Sequence, residues 1–185
     1  MVSVIVIIFL LYFIVQYNVK NNLEDKQNSV NTSWTELFNK SNDRVLLIKN
    51  IIHENSNRDS LNLLIDNNIV LRNQNRHECS LNFVELEYLV NGMLLKDLKK
   101  YAENKELIKN DYELNKLVLK YNEHVYSYNM YKTTFPNFII AKKYSFFDKK
   151  FFTIKYGVKN EDPIIKNKKI PEWMIRIEKE HGLRE

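Results

Sequence analysis

The chain has 185 residues, of which 28 are basic and 23 acidic, so its formal charge is +5 and its length suits one domain of ordinary size. The two signs of charge are mixed, and no dense lysine and arginine face with interleaved aromatic residues stands out, which argues against a nucleic-acid-binding protein. The single cysteine, Cys79, excludes an intrachain disulfide and fits a reducing compartment.

The N-terminal segment is apolar and predicts a membrane anchor. Residues 1–15 contain no charge and one polar side chain, Ser3, and no charged residue occurs before Lys20. About 20 apolar residues in a helix cross a hydrocarbon core of about 30 Å. Residues 1–19 are therefore expected to form a transmembrane helix that holds the chain in a lipid bilayer.

Two alternatives to this anchor remain open. A cleaved signal peptide has basic residues before its apolar run and small residues after it, whereas here no basic residue precedes the run and residues 16–20 read QYNVK. A buried core helix has a polar stripe, which this segment lacks. The lysines and arginines that follow the segment predict a single-pass membrane protein with its N-terminus outside and its bulk in the cytoplasm.

The body of the chain is expected to be helical, because glycine and proline are scarce. Only three of each occur, and sheets with many strands need turns built from them. An amphipathic helix is predicted over about 30–53, and the polar residues 20–29 either continue the membrane helix or form a neck. The predicted apolar stripe is Val30, Trp34, Leu37, Ser41, Val45, Ile48 and Ile52.

The middle of the chain is less regular. Residues 53–60 are expected to form a loop, residues 61–71 a shorter apolar stretch, and residues 72–80 a second polar connection. A helix follows from Leu81 to Tyr101, and Gly92 inside it predicts a kink or a close approach between helices.

The clearest helix runs from Leu107 to about Thr134, since Pro136 disfavours helical backbone at the residue before it.

The predicted domains are an anchor over 1–19, a helical body over 20–154 and a basic tail over 155–185. The tail includes a short amphipathic helix near its end that docks on the body or on a lipid surface. The fold class is predicted to be all-α, an antiparallel bundle of three to four long helices behind one N-terminal transmembrane helix.

A repeated tyrosine and asparagine pattern marks this last helix. Tyr121, Val125 and Tyr128 share one face, and Asn122 and Asn129 lie seven residues apart on an adjacent face. Tyrosine buries a ring and keeps a hydroxyl for a partner, and asparagine offers donors and an acceptor. We expect core residues that fix the register of paired helices; a polar stripe that binds a ligand is the alternative.

Two segments of the chain resemble the LemA family of bacterial membrane-anchored proteins. The first comprises Tyr17-Asn18, Asn28-Ser29-Val30, Trp34 and residues 42–52, which read NDRVLLIKNII. The second comprises Tyr121-Asn122, Val125, Tyr128-Asn129, Phe135-Pro136, Ala141, Phe146-Phe147 and Phe151-Phe152. The resemblance implies a helical, non-enzymatic scaffold or partner-binding module at the membrane, with an unidentified protein partner and no cofactor. Residues 55–107 depart from the family pattern.

The sequence predicts no catalytic, cofactor-binding or metal-binding residues. Its only cluster of potential ligands is His77-Glu78-Cys79, and no second cluster completes a four-ligand set. With three glycines in all, a phosphate-binding loop is not expected. Glu85 and Glu87 are two residues apart and are interpreted as surface charge. A membrane-bound enzyme with a scattered site, or a module that senses a lipid surface through the basic tail, remains the alternative function, and the sequence does not indicate the oligomeric state.

Overall fold

The computed structural model describes residues 2–53, 69–70, 72, 76–97 and 104–166. Helix is the regular secondary structure found throughout this part of the chain, which confirms the all-α class. The main helices are α1 (Val2–His53), α2 (Leu81–Asp97), α3 (Lys105–Thr133) and α4 (Asn137–Lys143). The predicted loop after His53, nearly all of the apolar stretch 61–71 and the predicted helix near the C-terminus lie outside the described residues.

Helix α1 is continuous over 52 residues, so residues 20–29 extend the helix that begins in the apolar segment. In this polar region the Ser29 hydroxyl donates to the carbonyl of Asp25 one turn earlier, which satisfies the hydroxyl within the helix. The predicted stripe is confirmed by burial at Val30, Trp34, Leu37, Ser41, Val45 and Ile48. Over the described residues, no helix has both the length and the apolar character needed to cross a membrane.

Helix α3 packs along α1 in the opposite direction. Residue numbers fall along α3 as they rise along α1 in each polar contact between them. These contacts are Lys26 with Ser127 at 2.9 Å, Glu36 with Lys120 at 2.6 Å, Lys40 with Glu113 at 2.5 Å, and Arg44 with Asp111 at 2.6 Å. The predicted end of α3 is confirmed, since the helix stops at Thr133. Its start is capped by Asn104, whose side chain accepts hydrogen bonds from the backbone of Glu106 and Leu107.

The core centres on Trp34 of α1. Its ring lies 5.1 Å from the ring of Phe83 on α2, 5.4 Å from that of Tyr121 on α3, and 6.4 Å from that of Phe152. Phe152 follows α4 in an extended stretch, so four separate parts of the chain meet at one indole. The close helix approach expected at Gly92 is not found, because a Cβ there would meet nothing within 4 Å.

Candidate functional site

An extended segment, residues 146–158, lies along α3 and is held there by asparagine side chains. Asn122 donates to the carbonyl of Phe152 and accepts from its N–H, both at 2.9 Å. Asn129 makes the same pair of bonds with Lys149, and Asn115 makes them with Tyr156. A carboxamide offers a donor and an acceptor, as a peptide group does, so each asparagine acts as one residue of a partner strand. We call residues 146–158 the clamped segment.

The spacing of these bonds follows from the rise of the two backbones. The asparagines are seven residues apart, about 10.5 Å along a helix, and their partners are three and four residues apart. That spacing needs about 3.0 Å per residue in the clamped segment, close to the rise of about 3.1 Å in a polyproline II chain. The seven-residue repeat of α3 is therefore matched to an extended chain, and not to another helix.

The tyrosines next to these asparagines add to the clamp. Tyr121 donates its hydroxyl to the carbonyl of Lys150 at 2.8 Å, and Tyr128 donates to that of Phe147 at 3.0 Å. Both rings are buried, which confirms the predicted core position. The predicted pairing of helices holds for the Tyr121 ring, which packs against Trp34 of α1. The hydroxyls and the asparagines differ from that prediction, because they hydrogen-bond the clamped segment and not another helix. The predicted boundary at 154/155 falls within this segment, whose Tyr156 is 2 % exposed.

A buried network of charged and polar side chains lies where the clamped segment ends. The Arg44 guanidinium bonds Asp111 at 2.6 Å and Asn91 at 3.2 Å, and it lies 4.8 Å from the centre of the Tyr156 ring. Asn91 in turn donates to the carbonyl of Val158 at 2.7 Å and accepts from the N–H of Gly157. This network joins α1, α2, α3 and the clamped segment in one place.

The second half of the network pairs Arg72 with Glu87. Ser41 donates to Glu87 at 2.9 Å and accepts from Arg72 at 2.8 Å. Glu87 is fully buried, so its interpretation as surface charge was wrong, and Arg72 is a buried helical residue and not part of a polar connection. A buried carboxylate needs a cation beside it, and Arg72 supplies that cation.

Burial also alters the acid–base properties of the network. It lowers the pKa of Arg72 to about 10, and the nearby Arg44 charge acts in the same direction. Burial raises the pKa of Asp111, while the Arg44 guanidinium opposes that rise. Shifts of this kind are common in active sites. The side chains of Arg44, Arg72, Glu87 and Asp111 are all buried, so in this structure the network lies inside the body and not on its surface.

The cluster singled out in the sequence, His77-Glu78-Cys79, borders a cavity of about 90 Å³ that also touches Tyr121 and Lys150. Cys79 is buried, and burial raises the pKa of its thiol to about 12, so the thiol stays protonated at neutral pH and is a poor nucleophile. Among the described residues, no group of three or more histidine, cysteine or acidic side chains is arranged to hold a metal ion.

The outward side of α3 carries an exposed apolar face. At 3.6 residues per turn its members fall within about 40° of one another around the helix axis. We call this set the outer face: Ile108, Tyr112, Leu119, Tyr126 and Met130. Tyr112, Leu119 and Tyr126 are seven residues apart, which is the spacing that helices use when they pair side by side. Sequence reasoning missed this face because it concentrated on the buried stripe of the same helix.

The N-terminal end of α1 is also apolar and exposed. The six consecutive side chains at residues 10–15 lie on all sides of the helix, and each is at least 43 % exposed. The first buried side chain after them is Gln16, which bonds Tyr144 and Lys143. The described part of α1 thus passes from a segment that none of the other described residues covers to one that is packed on one side.

Comparison with family models gives no match, and neither a curated protein nor a solved structure matches the chain. The geometry of the described residues therefore supplies the argument for function.

Proposed function

We propose that the protein is a single-pass membrane-anchored helical module of the LemA type, a non-enzymatic scaffold that binds a protein partner at the bilayer. The observation that carries this proposal is the exposure of residues 10–15 on all sides of α1. Burying such a surface in hydrocarbon is favourable, by about 25 cal/mol for each Å² removed from water. Because α1 is one helix through His53, the anchor and the body are joined without a flexible linker.

The finer architecture belongs to the same proposal. We infer an antiparallel bundle in which α1, α2 and α3 are the long members. The apolar segment before Gln16 enters the bilayer, because Gln16 and Val19, at the end of the predicted 1–19 anchor, are buried against the body. The N-terminus lies outside and the body in the cytoplasm, as the lysines and arginines after the anchor favour. Protease added to intact cells should then leave the body undigested. Digestion of the body from outside would contradict this orientation.

The anchor is tested by extracting membranes with alkaline carbonate. The full chain should stay in the membrane pellet, and the double variant I7K/L11K should move to the aqueous fraction, since lysine near the centre of a span costs about 3 kcal/mol. Both positions are exposed, so the folded body is not disturbed. The matched control is Y112K/L119K, which places the same charges on the outer face. Recovery of the unaltered full chain in the aqueous fraction would refute the anchor.

The partner site of this proposal is the outer face of α3. Its seven-residue spacing fits an amphipathic helix of another protein, laid alongside α3. Tyr112 lies under the Lys116 ammonium, 4.4 Å from the ring centre, so a basic side chain borders the apolar residues there. An acidic border on the partner helix would complement them.

Photo-crosslinking in native membranes tests this site. A crosslinking residue at position 119 or 126 should give one discrete adduct, and L119E should abolish the adduct formed from 126 without unfolding the body. The control position is 109, where the lysine side chain is 77 % exposed beside the outer face. Equal adducts from all three positions would refute the site, and an adduct of twice the chain mass would identify a second copy of this chain instead of a different partner.

A further inference from the structure

A second exposed apolar patch lies at the turn between α3 and α4. Phe135 is 74 % exposed and Phe147 is 75 % exposed, and Phe138 and Ile139 of α4 are about half exposed. The rings of Phe135 and Phe138 lie 6.3 Å apart. Phe138 and Phe147 both line one open groove of about 330 Å³. We call these four residues the aromatic tip.

The aromatic tip lies at the end of the body that is nearest the anchor. Lys143, the last residue of α4, donates to the Gln16 side chain at 2.8 Å, and Gln16 donates to the Tyr144 hydroxyl at 2.5 Å. Gln16 directly follows the exposed apolar residues 10–15. Helix α4 is seven residues long, about 10 Å, so the tip lies close to the level at which α1 would leave a bilayer.

The charge around the tip has one predominant sign. Residues 131–150 contain five lysines and one carboxylate, Asp148. Lys132 pairs with Asp148 at 2.5 Å. Lys142, which lines the groove of the tip, and Lys143 therefore have no acidic residue within this stretch of sequence to balance them, whereas Lys149 and Lys150 line the cavity that Glu78 borders. Anionic lipid headgroups attract such basic clusters when the lysines lie within a Debye length of the surface.

We propose that the aromatic tip inserts into the interfacial region of an anionic bilayer, as a second membrane contact beside the anchor. This inference rests on the proposed function, since the anchor is what brings the tip to the bilayer. A short helix with apolar side chains and lysines on its exposed side is the arrangement that binds at the headgroup boundary. A lipid surface, and not a protein, is the expected partner of the aromatic tip for two reasons. The tip lies beside the anchor, and lysines outnumber carboxylates around it. Together the two contacts fix the tilt of the body on the membrane.

The test uses the full chain in lipid vesicles, with single nitroxide labels on a Cys79→Ala background. Labels go at I139C in the tip, at L11C in the anchor and at L119C on the outer face, and their accessibility to oxygen and to a water-soluble nickel chelate is measured. In vesicles containing phosphatidylglycerol, the labels at 139 and 11 should be shielded from nickel, and the label at 119 should be open to it. In pure phosphatidylcholine, the label at 139 should lose much of its protection while that at 11 keeps it.

The outcomes separate the two proposals. A label at 11 that is shielded while the label at 139 is open to nickel in both vesicle types would overturn the tip and leave the anchor standing. A label at 11 that is open to nickel would overturn the anchor and, with it, the tip. The variant K142Q should reduce the protection at 139 in anionic vesicles, whereas K109Q, away from the tip, should not. Protection at 139 that is the same in both vesicle types would refute the role of the lysines.

Discussion

The two ends of α1 follow opposite rules of burial. Between residues 10 and 15 the helix exposes leucine, isoleucine and phenylalanine side chains, while near its other end it buries the guanidinium of Arg44 completely. Both ends belong to one uninterrupted helix. The difference lies in the neighbouring elements, because α2, α3 and the clamped segment surround Arg44 with Asp111, Asn91 and Tyr156.

This contrast shows that residue type alone does not decide what is buried. A charged side chain is buried where neighbouring groups satisfy its hydrogen bonds, and an apolar one stays exposed where the described residues do not cover it. Under our proposal, the cover for the N-terminal end is the bilayer. Substitutions at the covered end of α1, and in the elements that cover it, should therefore change stability more than substitutions at the exposed N-terminal end.

The largest effect is expected at the ion pair that allows Arg44 to be buried. Asp111→Asn removes the carboxylate that lies 2.6 Å from the buried Arg44 guanidinium, so the free energy of unfolding should fall by about 3–5 kcal/mol. Urea denaturation of the detergent-solubilised chain, followed by circular dichroism, measures this loss. The double variant R44M/D111L removes both charges and should recover much of the stability; a double variant as unstable as D111N would count against the ion pair as the cause.

The next effect concerns Tyr121, whose ring packs against Trp34 of α1 and whose hydroxyl donates to the clamped segment. Tyr121→Ala should lower the free energy of unfolding by about 3 kcal/mol, the lower end of the range for aromatic truncation, since the ring also borders an open cavity. Tyr121→Phe keeps the ring and loses only the bond to Lys150, so it should cost about 1 kcal/mol. Equal losses for the two variants would show that the hydroxyl, and not the packing of the ring, is what matters.

A smaller effect is expected for the asparagines of the clamp. Asn122→Ala leaves the N–H and carbonyl of Phe152 without their partner, and should cost about 1–3 kcal/mol. Hydrogen exchange of the Phe152 amide should accelerate in the same variant. Asn39→Ala, at an exposed position of α1, is the control and should change stability by less than about 0.5 kcal/mol. Unchanged exchange at Phe152 in N122A would refute the clamp.

Much of the helical framework could be predicted from the sequence because it depends on local patterns. The buried stripe of α1 follows the helical period, and α3 stops just before Pro136 because proline restricts the residue before it. One signal of the buried network was also available. Arg44 is three residues after Ser41 and four before Ile48, so it lies on the same stripe, although a charged residue there resembles one on a surface.

The partners of these residues could not be predicted, because they depend on contacts between distant parts of the chain. The clamped segment alternates between buried residues at 152, 154 and 156 and more exposed ones between them, a pattern that indicates an extended strand. Nothing in that pattern shows that its hydrogen-bonding partners are side chains on a helix. Asn115 completes the seven-residue series of Asn122 and Asn129, but its partner Tyr156 is 41 residues away.

The smallest effect tests the uncovered end of α1. Leu11 is 56 % exposed, so Leu11→Ala removes no packing within the chain and should change the free energy of unfolding of the detergent-solubilised protein by less than about 0.5 kcal/mol. Leu37→Ala is the matched control on the same helix, where a fully buried leucine should cost about 2–5 kcal/mol. If L11A destabilised the body as much as L37A, the chain itself would cover Leu11, and the reason for assigning that end of the helix to a bilayer would disappear.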